Sequence, residues 1–577
     1  MNNEVLYSVK AQRGPTLRCK GWKQESLLRM LENNMENAEA PERLVIYGGI
    51  GKCARNWESY HAIVDALLHL ENDETLAIQS GMPVAVFKTH RLAPRVVMAN
   101  TNIMKATWPI FYDLQDKNLT MFAQYTAGPW EYIGTQGVIQ GTFETLAAIG
   151  SQHFGGSLAG RILFTAGLGG MGANQPRAMT MHGGVCLVVD ANPDIVPLRI
   201  RKGFLDVQVD SLEEGIAQAE GAKREGRALG IGLVGNAAEL FPRALELGWR
   251  PDIVTEMCPC HDPLAYIASG YTPAQAEQAR RQDRDRYLHE ARESMKRQLK
   301  AMLGFHAQGV QVFEYGTSIR KECRDAGMPE AEVMQIPGFV AAYIRPLFTV
   351  GRGPFRWTCL SGEPKDLATL DDLVLEMFPN DATTVKWIEL ARKSLPIEGL
   401  PARVCYLGFG ERKAFGLRVN RLVREHVLAG PVAFSRDNLD SGSIVNPTFE
   451  SEKMRDGSDL ISDWPYLNAL LNTAAMADLV AIQANYSMGE AVHTGVTMIA
   501  DGSEEADLRL EACLTTDSGI GVVRHAQAGY ETARRTAEGK GPLTPESIKV
   551  PLWWTPHATF GPETGAQDRP GPHNRKP

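Results

Sequence analysis

The stretch RILFTAGLGGMGANQPRAMTMHGGVCLVVD, residues 161–190, decides the fold that this sequence predicts. It begins with the apolar run RILFTAG, continues through the glycine turn GLGGMG and the segment ANQPRAMTMH, and ends with a second apolar run, GGVCLVVD. A short apolar run bounded by glycines is typical of a buried strand, and the segment between the runs fits one short helix. Two strands joined through a helix predict a parallel βαβ unit.

The same alternation of helix and strand continues after residue 190. The predicted elements are a helix at 211–228, a strand at 228–236, a helix in AAELFPRALELG and a strand at 251–257. We therefore expect an α/β fold with a parallel-sheet domain at residues 133–341. Residues 1–132 and 342–554 are expected to pack together as the two parts of a core domain, because 577 residues exceed what a single core usually holds.

The remaining segments predict less regular features. The elements expected in the N-terminal part are helices at 27–35 and 58–70 and strands at 44–49 and 83–90. Residues 272–302 predict one long charged helix with a solvated face, in which Asp and Glu interrupt the Arg and Lys residues. Residues 555–577 are rich in proline and glycine, which predicts a disordered tail.

The composition is that of an ordinary globular protein. The net charge is -8 and the isoelectric point about 6.0, whereas a nucleic-acid-binding protein usually presents a basic face. The sequence contains no run of about 18 apolar residues, so no membrane span is predicted. The first residues lack the apolar segment of a secretory signal. The nine cysteines indicate free thiols rather than a disulfide framework. We therefore expect a cytoplasmic protein with neither nucleic-acid nor membrane partners.

The glycine turn predicts a dinucleotide site. Gly167, Gly169 and Gly172 form a G-x-G-x-x-G pattern between an apolar strand and a helix, and Asp190 ends the next strand, 21 residues after Gly169. The glycines allow a tight turn and a close approach to a pyrophosphate, while the carboxylate can accept hydrogen bonds from ribose hydroxyls. A carboxylate there would repel the extra phosphate of NADP, so NAD is favoured. A purely structural glycine turn is the alternative.

A colinear set of further motifs, covering about residues 7 to 554, resembles the urocanase (urocanate hydratase) family. The motifs are YGGIGKCARNWESY (47–60), QYTAGPWEYIGTQGVIQGT (124–142), TAGLGGMGANQP (165–176), CHDPL (260–264), FEYGTSIR (313–320), PGFVAAYIRPLF (337–348), GPFRWTCLSGEP (353–364), GLPARVCYLGFGER (399–412), SRDNLDSGS (435–443) and GVVRHAQAGYE (521–531). A shared superfold alone would not produce so many motifs in order.

The resemblance implies a homodimer whose subunits have a urocanase-like core domain with an inserted Rossmann-like NAD-binding domain. It also implies a hydro-lyase that adds water to an imidazolyl-acrylate and gives an imidazolone-propanoate. One tightly bound NAD⁺ per subunit would act as an electrophile and would not be consumed. This is consistent with the usual division of labour, in which the cofactor supplies the chemistry and the protein supplies position and charge.

The resemblance also implies roles for individual residues. The cofactor contacts fall on Gly48, Gly49, Gln124, Gly170, Met171, Gly172, Asp190, Asn236, Ala237, Met257, Cys258, Cys260, His261, Tyr266, Ile267 and Tyr315. The catalytic residues are Cys405 and Asp440, and the substrate-binding residues are Tyr47, Thr126 and Arg356.

Physical chemistry supports two of these roles, and all three residues leave an alternative open. A guanidinium such as that of Arg356 binds a carboxylate through two hydrogen bonds, but the residue could also form a structural ion pair. A carboxylate such as Asp440 can move protons near neutral pH, or it could cap a turn. Cys405 lies in an apolar run and could be a buried filler.

Some motifs depart from the family pattern. Where the family usually has QTSAHDPL this sequence has MCPCHDPL (257–264), and its glycine-rich HHGGGVGMG stretch is replaced by QANYSMGEA (483–491). IMKATW (103–108) replaces a VPHW-like stretch, and Ile195 replaces an arginine that contacts the cofactor. Met and Cys suit a sulfur substituent better than Gln and Thr do. We therefore predict a urocanate with sulfur at imidazole C2, near Met257, Tyr486 or Met488, as formed in ergothioneine breakdown; urocanate itself is the alternative.

Three other classes of protein remain as rival interpretations. Cys258, Cys260, His261 and Asp262 could bind a metal, although they lack the ligand spacing of structural zinc sites, and no metal is expected. A dehydrogenase would release NADH. A non-catalytic binding protein would not need Cys405.

Overall fold

The computed structural model describes residues 8–484, 487–543 and 548–552. Within these ranges the strands form a six-stranded parallel sheet, a nine-stranded mixed sheet and a two-stranded hairpin. The middle of the chain supplies the parallel sheet, and both ends of the chain supply the mixed sheet. The predicted α/β fold is confirmed.

The N-terminal part is a helical layer against short strands. Its elements are α1 (Trp22–Glu36), a 3-10 turn (Pro41–Arg43), β1 (Val45–Tyr47), β2 (Gly51–Lys52), α2 (Trp57–His69), β3 (Glu74–Gln79), β4 (Met82–Lys88), β5 (Val96–Asn100) and α3 (Trp108–Asp116). Local chemistry sets their ends, as at α2, where the side chain of Asn56 accepts a hydrogen bond of 2.8 Å from Ser59 N. The four elements predicted here are confirmed.

The middle of the chain alternates strands and helices. Its elements are a 3-10 turn (Thr135–Gly137), α4 (Ile139–His153), β6 (Ile162–Ala166), α5 (Asn174–Met181), β7 (Val185–Asp190), α6 (Ile195–Arg201), β8 (Val207–Val209), α7 (Leu212–Glu225), β9 (Leu229–Val234), α8 (Ala237–Glu246), β10 (Ile253–Val254), α9 (Pro273–Gln282), α10 (Arg284–Ala307), β11 (Gln311–Val312), α11 (Ile319–Asp325) and α12 (Glu330–Val333). The strand order is β11-β10-β6-β7-β9-β8. Every residue of β6 is buried, as its uninterrupted apolar run predicts.

The C-terminal part completes the mixed sheet. Its elements are a π-helical turn (Val340–Ile344), α13 (Arg345–Phe348), β12 (Gly353–Cys359), α14 (Pro364–Met377), α15 (Ala382–Ser394), β13 (Ala402–Leu407), α16 (Glu411–Arg424), β14 (Val432–Arg436), β15 (Ile444–Val445), α17 (Asp463–Ala474), β16 (Leu479–Gln483), β17 (Val492–Ala500), α18 (Glu504–Gln527) and α19 (Glu531–Ala537).

The two ends of the chain meet in the mixed sheet. Its strand order is β13-β12-β14-β17-β16-β5-β3-β4, and β15 pairs with β17. β5 of the N-terminal part runs parallel to β16, with Leu479 opposite Val96 and Gln483 opposite Asn100. The parallel-sheet domain is therefore inserted into a core domain that both ends build.

One predicted element is wrong. Instead of a single helix at 272–302, α9 ends at Gln282 and α10 begins at Arg284. Asp283 between them has extended backbone angles, and its carboxylate accepts a hydrogen bond of 3.0 Å from Arg286 N as the cap of α10. Nor is α10 only a solvated helix, because an apolar stripe that includes Ala291, Met295 and Leu299 is buried.

Candidate active site

The predicted glycine turn lies between β6 and α5, at the carboxyl end of the parallel sheet. Gly167 has a φ of +90°, and a Cβ there would lie 2.3 Å from the carbonyl oxygen of Met257. A Cβ on Gly172 would lie 2.2 Å from the carbonyl oxygen of Gly167. Backbone atoms cannot give way as a flexible side chain can, so only glycine fits at either position.

This turn forms one wall of a cleft of about 210 Å³, which we call the glycine cleft. The residues that line it are Glu39, Gly48, Gly49, Gln124, Gly167, Gly169, Gly170, Met171, Gly172, Val189, Asp190, Ala191, Gly235, Asn236, Ala237, Met257, Cys258, Pro259, His261, Ala265, Tyr266, Ile267, Tyr315, Gly316 and Thr317. All the predicted cofactor contacts except Cys260 are among them. Cys260 is fully buried behind the wall, with Sγ 3.8 Å from Glu256 Oε2.

Asp190 closes the glycine cleft at the end of β7. Its Oδ2 accepts a hydrogen bond of 2.7 Å from Leu168 N, and its Oδ1 accepts one of 2.8 Å from Asn192 N. Burial raises the pKa of this carboxyl above its ordinary value, while the two backbone donors oppose the shift. Each oxygen keeps a further lone pair, so the group can still accept hydrogen bonds from hydroxyls.

The core domain supplies the opposite wall of the glycine cleft. Gly48 and Gly49 have φ values of +67° and +87°, and a Cβ on Gly48 would lie 2.3 Å from Gln124 Oε1. That oxygen is buried and has no hydrogen-bond partner among the described residues. His261 Nε2 lies 3.1 Å from the carbonyl oxygen of Gly48, and burial lowers the pKa of this histidine to about 4.

These features fit a dinucleotide. Gly167 and Gly172 allow a tight turn that has no room for a Cβ, a carboxylate ends the second strand, and Gln124 offers an amide oxygen without a partner among the described residues. Glu39, which the sequence analysis missed, also lines the cleft and accepts a hydrogen bond of 2.7 Å from Gly170 N. No motif spacing marks Glu39, because it precedes the glycine turn by more than a hundred residues.

A smaller space of about 40 Å³, which we call the inner cavity, adjoins the glycine cleft. The two share Met171, Met257, Tyr315 and Gly316 as lining residues. The rest of the inner cavity is lined by Tyr125, Gly137, Val138, Gly141, Phe339, Pro354, Tyr406, Asp437, Leu439 and Phe449. A ligand that fills both spaces would therefore pass between the two methionines and Tyr315.

Comparison with family models decides the classification. The chain matches the urocanase N-terminal domain over residues 9–131, the urocanase Rossmann-like domain over 134–343 and the urocanase C-terminal domain over 346–539. The chain belongs to the urocanase family. Family membership makes it a hydro-lyase of the urocanase type, and the Rossmann-like domain coincides with the six-stranded parallel sheet.

The substrate-binding residues predicted from the urocanase resemblance adjoin residues that line the two spaces: Tyr47 precedes Gly48 of the glycine cleft, and Thr126 follows Tyr125 of the inner cavity. Arg356 on β12 is ion-paired with Asp437 and donates a hydrogen bond of 3.1 Å from Nη1 to the carbonyl oxygen of Glu131. Tyr47 Oη lies 3.3 Å from Thr126 Oγ1 and accepts a hydrogen bond of 3.2 Å from Thr126 N. Arg356 itself does not line the inner cavity; it contacts Asp437, which does. The sequence analysis missed Asp437.

The two predicted catalytic residues do not line either space. Cys405 pairs with Phe355 across the sheet, whereas the next residue, Tyr406, lines the inner cavity, since neighbouring side chains on a strand point to opposite faces. Burial raises the pKa of the Cys405 thiol, and Gln140 Nε2 lies 4.0 Å from Sγ. The carboxylate of Asp440 is held by Arg412 through contacts of 2.6 and 3.0 Å.

The departures from the urocanase pattern have separate places in the fold. Ile195 begins α6 and does not line the glycine cleft. Gly489 and Glu490 line a different surface cavity, and Met488 packs with Trp108 and other aromatic residues away from the inner cavity. Tyr486 lies outside the described residues. Of the two predicted sulfur contacts among the described residues, Met257 lines the inner cavity and Met488 does not.

The side chains of the possible metal motif have separate partners. Cys258 lines the glycine cleft, and Cys260 points to Glu256. The carboxylate of Asp262 accepts a hydrogen bond of 2.8 Å from Tyr112 Oη. Among residues 8–484, 487–543 and 548–552, no group of three or more His, Cys, Asp or Glu side chains could hold a metal ion. In the same ranges no helix is both long enough and apolar enough to cross a membrane.

Proposed function

We propose that this chain adds water to a urocanate that carries sulfur at imidazole C2, either S-methyl-thiourocanate or thiourocanate, as an enzyme of ergothioneine-type degradation. The alternative substrate is urocanate, which would give 4-imidazolone-5-propanoate. The observation that carries the proposal is the position of Met257, in the changed motif MCPCHDPL, on the boundary between the glycine cleft and the inner cavity.

The lining of the inner cavity suits such a substrate. Much of this lining is apolar and polarisable, namely Met171, Met257, Leu439, Phe339 and Phe449. A thione or methylthio group gains dispersion contacts there and leaves no buried donor without a partner. A polar side chain at position 257 would lose part of its hydration against the same substituent.

The glycine cleft would hold one NAD⁺ per subunit. The turn from Gly169 to Gly172 admits a pyrophosphate, and Asp190 accepts hydrogen bonds from ribose hydroxyls. When bound, NAD⁺ supplies an electron-poor pyridinium ring that withdraws electrons from the substrate and is not consumed. Met257 and Tyr315 would position the substrate at the junction of the two spaces.

Arg356 would bind the substrate carboxylate together with its neighbours. It is buried, and its Nε has no hydrogen-bond partner among the described residues, so one donor remains beyond the ion pair with Asp437. Tyr47 and Thr126 would hold the adjoining wall of the core domain. We propose that Cys405 and Asp440 act by positioning, Cys405 from behind Tyr406 and Asp440 through Arg412.

The same proposal includes a cytoplasmic homodimer. The large exposed side chains Leu460, Ile461, Leu467 and Leu470 lie on and just before α17, and an exposed apolar patch is typical of a subunit interface. Sedimentation velocity at micromolar concentration should give twice the chain mass of 63.4 kDa.

Turnover of three substrates tests the function directly. The purified enzyme is incubated with urocanate, thiourocanate and S-methyl-thiourocanate, and kcat/KM is measured for each by loss of the conjugated acrylate. We expect a sulfur compound to be hydrated fastest and denaturation to release NAD⁺ in a one-to-one ratio with the chain. Faster turnover of urocanate than of both sulfur compounds would establish the alternative, and activity without any bound dinucleotide would refute the cofactor role.

A further inference from the structure

Tyr125 lies on the wall of the inner cavity in a strained backbone conformation. Its φ is +31°, in the left-handed region that disfavours residues with a Cβ. Its carbonyl oxygen accepts hydrogen bonds of 2.8 Å from Gln483 Nε2 and 3.2 Å from Asn438 Nδ2, both fully buried. These two bonds hold the strained backbone, so the fold itself fixes the direction of the phenol.

The phenol of Tyr125 donates a short hydrogen bond to Oε1 of Glu450. Glu450 lies behind the cavity wall with 3% of its surface exposed, and its Oε2 has no hydrogen-bond partner among the described residues. A buried carboxyl with one oxygen left over is costly when ionised and stable when protonated. The pair therefore stores a proton one hydrogen bond away from the inner cavity.

The charges around Glu450 favour the protonated form near neutral pH. Burial raises its pKa to about 8, with Asp437 and Glu314 adding to the shift and the Tyr125 phenol opposing it. Two cations also face it: Arg345, whose Nη2 donates to the Glu450 carbonyl oxygen at 3.0 Å, and Arg524. Neither guanidinium is hydrogen-bonded to the carboxylate, so they do not replace its proton.

The other tyrosines of the inner cavity differ from Tyr125. Tyr315 donates a hydrogen bond of 2.9 Å to Thr142 Oγ1, which is a hydroxyl and cannot supply a proton near neutral pH. Tyr406 lies next to Gly141, where an added Cβ would lie 3.3 Å from its Oη. Tyr125 is thus distinguished, among the described tyrosines of this wall, by its bond to a carboxyl group.

We propose that Tyr125 donates protons to the acrylate side chain of the substrate and that Glu450 resupplies them, an arrangement that we call the proton relay. This inference rests on the proposed function. Hydration places the oxygen of one water molecule on the ring carbon and two hydrogens on the side chain. In the first transfer the Tyr125 O–H bond breaks while the electron pair of the side-chain double bond forms a C–H bond, and the water bonds to the ring carbon and releases one proton. In the second transfer the hydrated ring carbon loses its hydrogen as a proton, the electron pair of that C–H bond re-forms the ring double bond, and the pair of the double bond between ring and side chain takes the second proton from Tyr125. After each transfer the Glu450 O–H bond restores the phenol, and the proton released by the water or by the ring carbon restores Glu450, so nothing is oxidised or reduced.

The test uses the enzyme loaded with its cofactor and whichever of the three acrylates the unaltered enzyme hydrates fastest. Tyr125→Phe removes the donor and should lower kcat by about 100-fold, the usual contribution of a positioned acid. Glu450→Gln keeps the shape of the pair and leaves the phenol with a neutral partner. The unaltered enzyme should lose activity as pH rises through about 8, where Glu450 loses its proton, and Glu450→Gln should abolish that alkaline limb.

A second tyrosine–glutamate pair provides matched controls. Tyr271 Oη donates a hydrogen bond to Glu290 Oε2 at the surface, outside both spaces. Tyr271→Phe and Glu290→Gln should leave kcat and the pH profile unchanged. NAD⁺ content, measured after denaturation, shows whether each variant is still loaded.

The outcomes separate this inference from the proposed function. If Tyr125→Phe retains its cofactor and keeps kcat within twofold of the unaltered enzyme, the relay is wrong although the function stands. If Tyr125→Phe does not fold, the pH profile of Glu450→Gln tests the proton relay instead. An alkaline limb that is the same in Glu450→Gln as in the unaltered enzyme would show that the relay is wrong. If the unaltered enzyme hydrates none of the three acrylates, the proposed function is wrong and the relay falls with it.

Discussion

The glycine cleft and the inner cavity adjoin each other but are built in different ways. The glycine cleft is largely a backbone surface, in which Gly167, Gly170 and Gly172 come from one turn. The inner cavity is largely a side-chain surface, to which Tyr125, Tyr406 and Asp437 come from three distant segments. A backbone surface needs glycines at fixed spacing and so leaves a local pattern in the sequence, whereas convergent side chains leave none.

The largest expected effect is that of breaking the backbone surface. In Gly172→Ala the new Cβ would meet the carbonyl oxygen of Gly167 at 2.2 Å, which neither the turn nor α5 can relieve by moving a side chain. We expect the purified variant to contain less than about a tenth of the normal NAD⁺ and to lose more than about 100-fold in kcat, because a misplaced cofactor misplaces the reaction. Both are measured on the same preparation.

Gly221→Ala is the matched control for this prediction. Gly221 lies inside α7, where the nearest atom to an added Cβ is an arginine nitrogen at 3.9 Å, and alanine favours a helix. NAD⁺ content and kcat should not change. A Gly172→Ala enzyme with a full complement of cofactor would show that the turn does not form the binding surface.

The next prediction distinguishes two carboxylates in the same loop. Asp437 lines the inner cavity and pairs with Arg356, whereas Asp440 is held by Arg412 outside it. Asp437→Asn should lower kcat/KM by about 30- to 100-fold, because Arg356 loses the partner that orients it toward the substrate. Asp440→Asn should mainly lower the melting temperature, because one member of a buried pair costs about 3–5 kcal/mol to remove.

Kinetics and thermal melting of both variants decide between these roles. A large loss of kcat in Asp440→Asn at an unchanged melting temperature would support the catalytic role predicted from the sequence. An unaffected kcat/KM in Asp437→Asn would show that the inner cavity does not receive the substrate.

Asp437 and Asp440 also show which features of the protein could be predicted from the sequence and which could not. The alternation of strands and helices predicted the fold, because each apolar run marks a strand even where the strand is shorter, as β10 (Ile253–Val254) is within the run at 251–257. The motif SRDNLDSGS predicted Asp440 as a catalytic residue, whereas the structure places Asp437 of the same motif in the lining of the inner cavity. The sequence could not distinguish the two, because they differ only in which way the loop turns. Cys405 and Tyr406 differ only in strand face. Asp283 ends a helix whose periodicity continues on both sides, so periodicity alone could not show the break.

A smaller effect is expected when pH falls: the protein should lose NAD⁺ because His261, which lines the glycine cleft, becomes protonated. His261 has a folded pKa of about 4 against an ordinary value of 6.5. The unfolded chain therefore binds a proton between these values when the folded chain does not, and stability falls as pH falls through this window. At pH 5 the cost is about 2 kcal/mol. The NAD⁺ retained after gel filtration should be lower at pH 5 than at pH 7.

His261→Gln isolates this contribution. Glutamine can still donate to the carbonyl oxygen of Gly48 but does not titrate, so the variant should lose less NAD⁺ at pH 5 than the unaltered enzyme does. His182, which also has a pKa of about 4, titrates equally in both proteins and cancels from the comparison. His69→Gln, at an exposed position, is the control. If His261→Gln and the unaltered enzyme lose equal amounts of NAD⁺ at pH 5, another group causes the acid sensitivity.

The smallest expected effect concerns Met257, which both spaces share. In Met257→Gln the side chain keeps its length but presents an amide to the substrate at the junction of the two spaces. A contact with one methylthio group is worth about 1–3 kcal/mol, so the ratio of kcat/KM for S-methyl-thiourocanate over urocanate should fall about tenfold. Because the change is a ratio, it does not depend on the fraction of enzyme that is active.

Met104→Gln makes the same chemical change at an exposed position and should leave the ratio as it is. If Met257→Gln lowers both kcat/KM values equally, Met257 contributes to packing and not to selection of the ring substituent. If only the sulfur compound is affected, one side chain at the boundary determines the substrate. The backbone surface on one side of Met257 then serves the cofactor, and the side-chain surface on the other side determines which acrylate is hydrated.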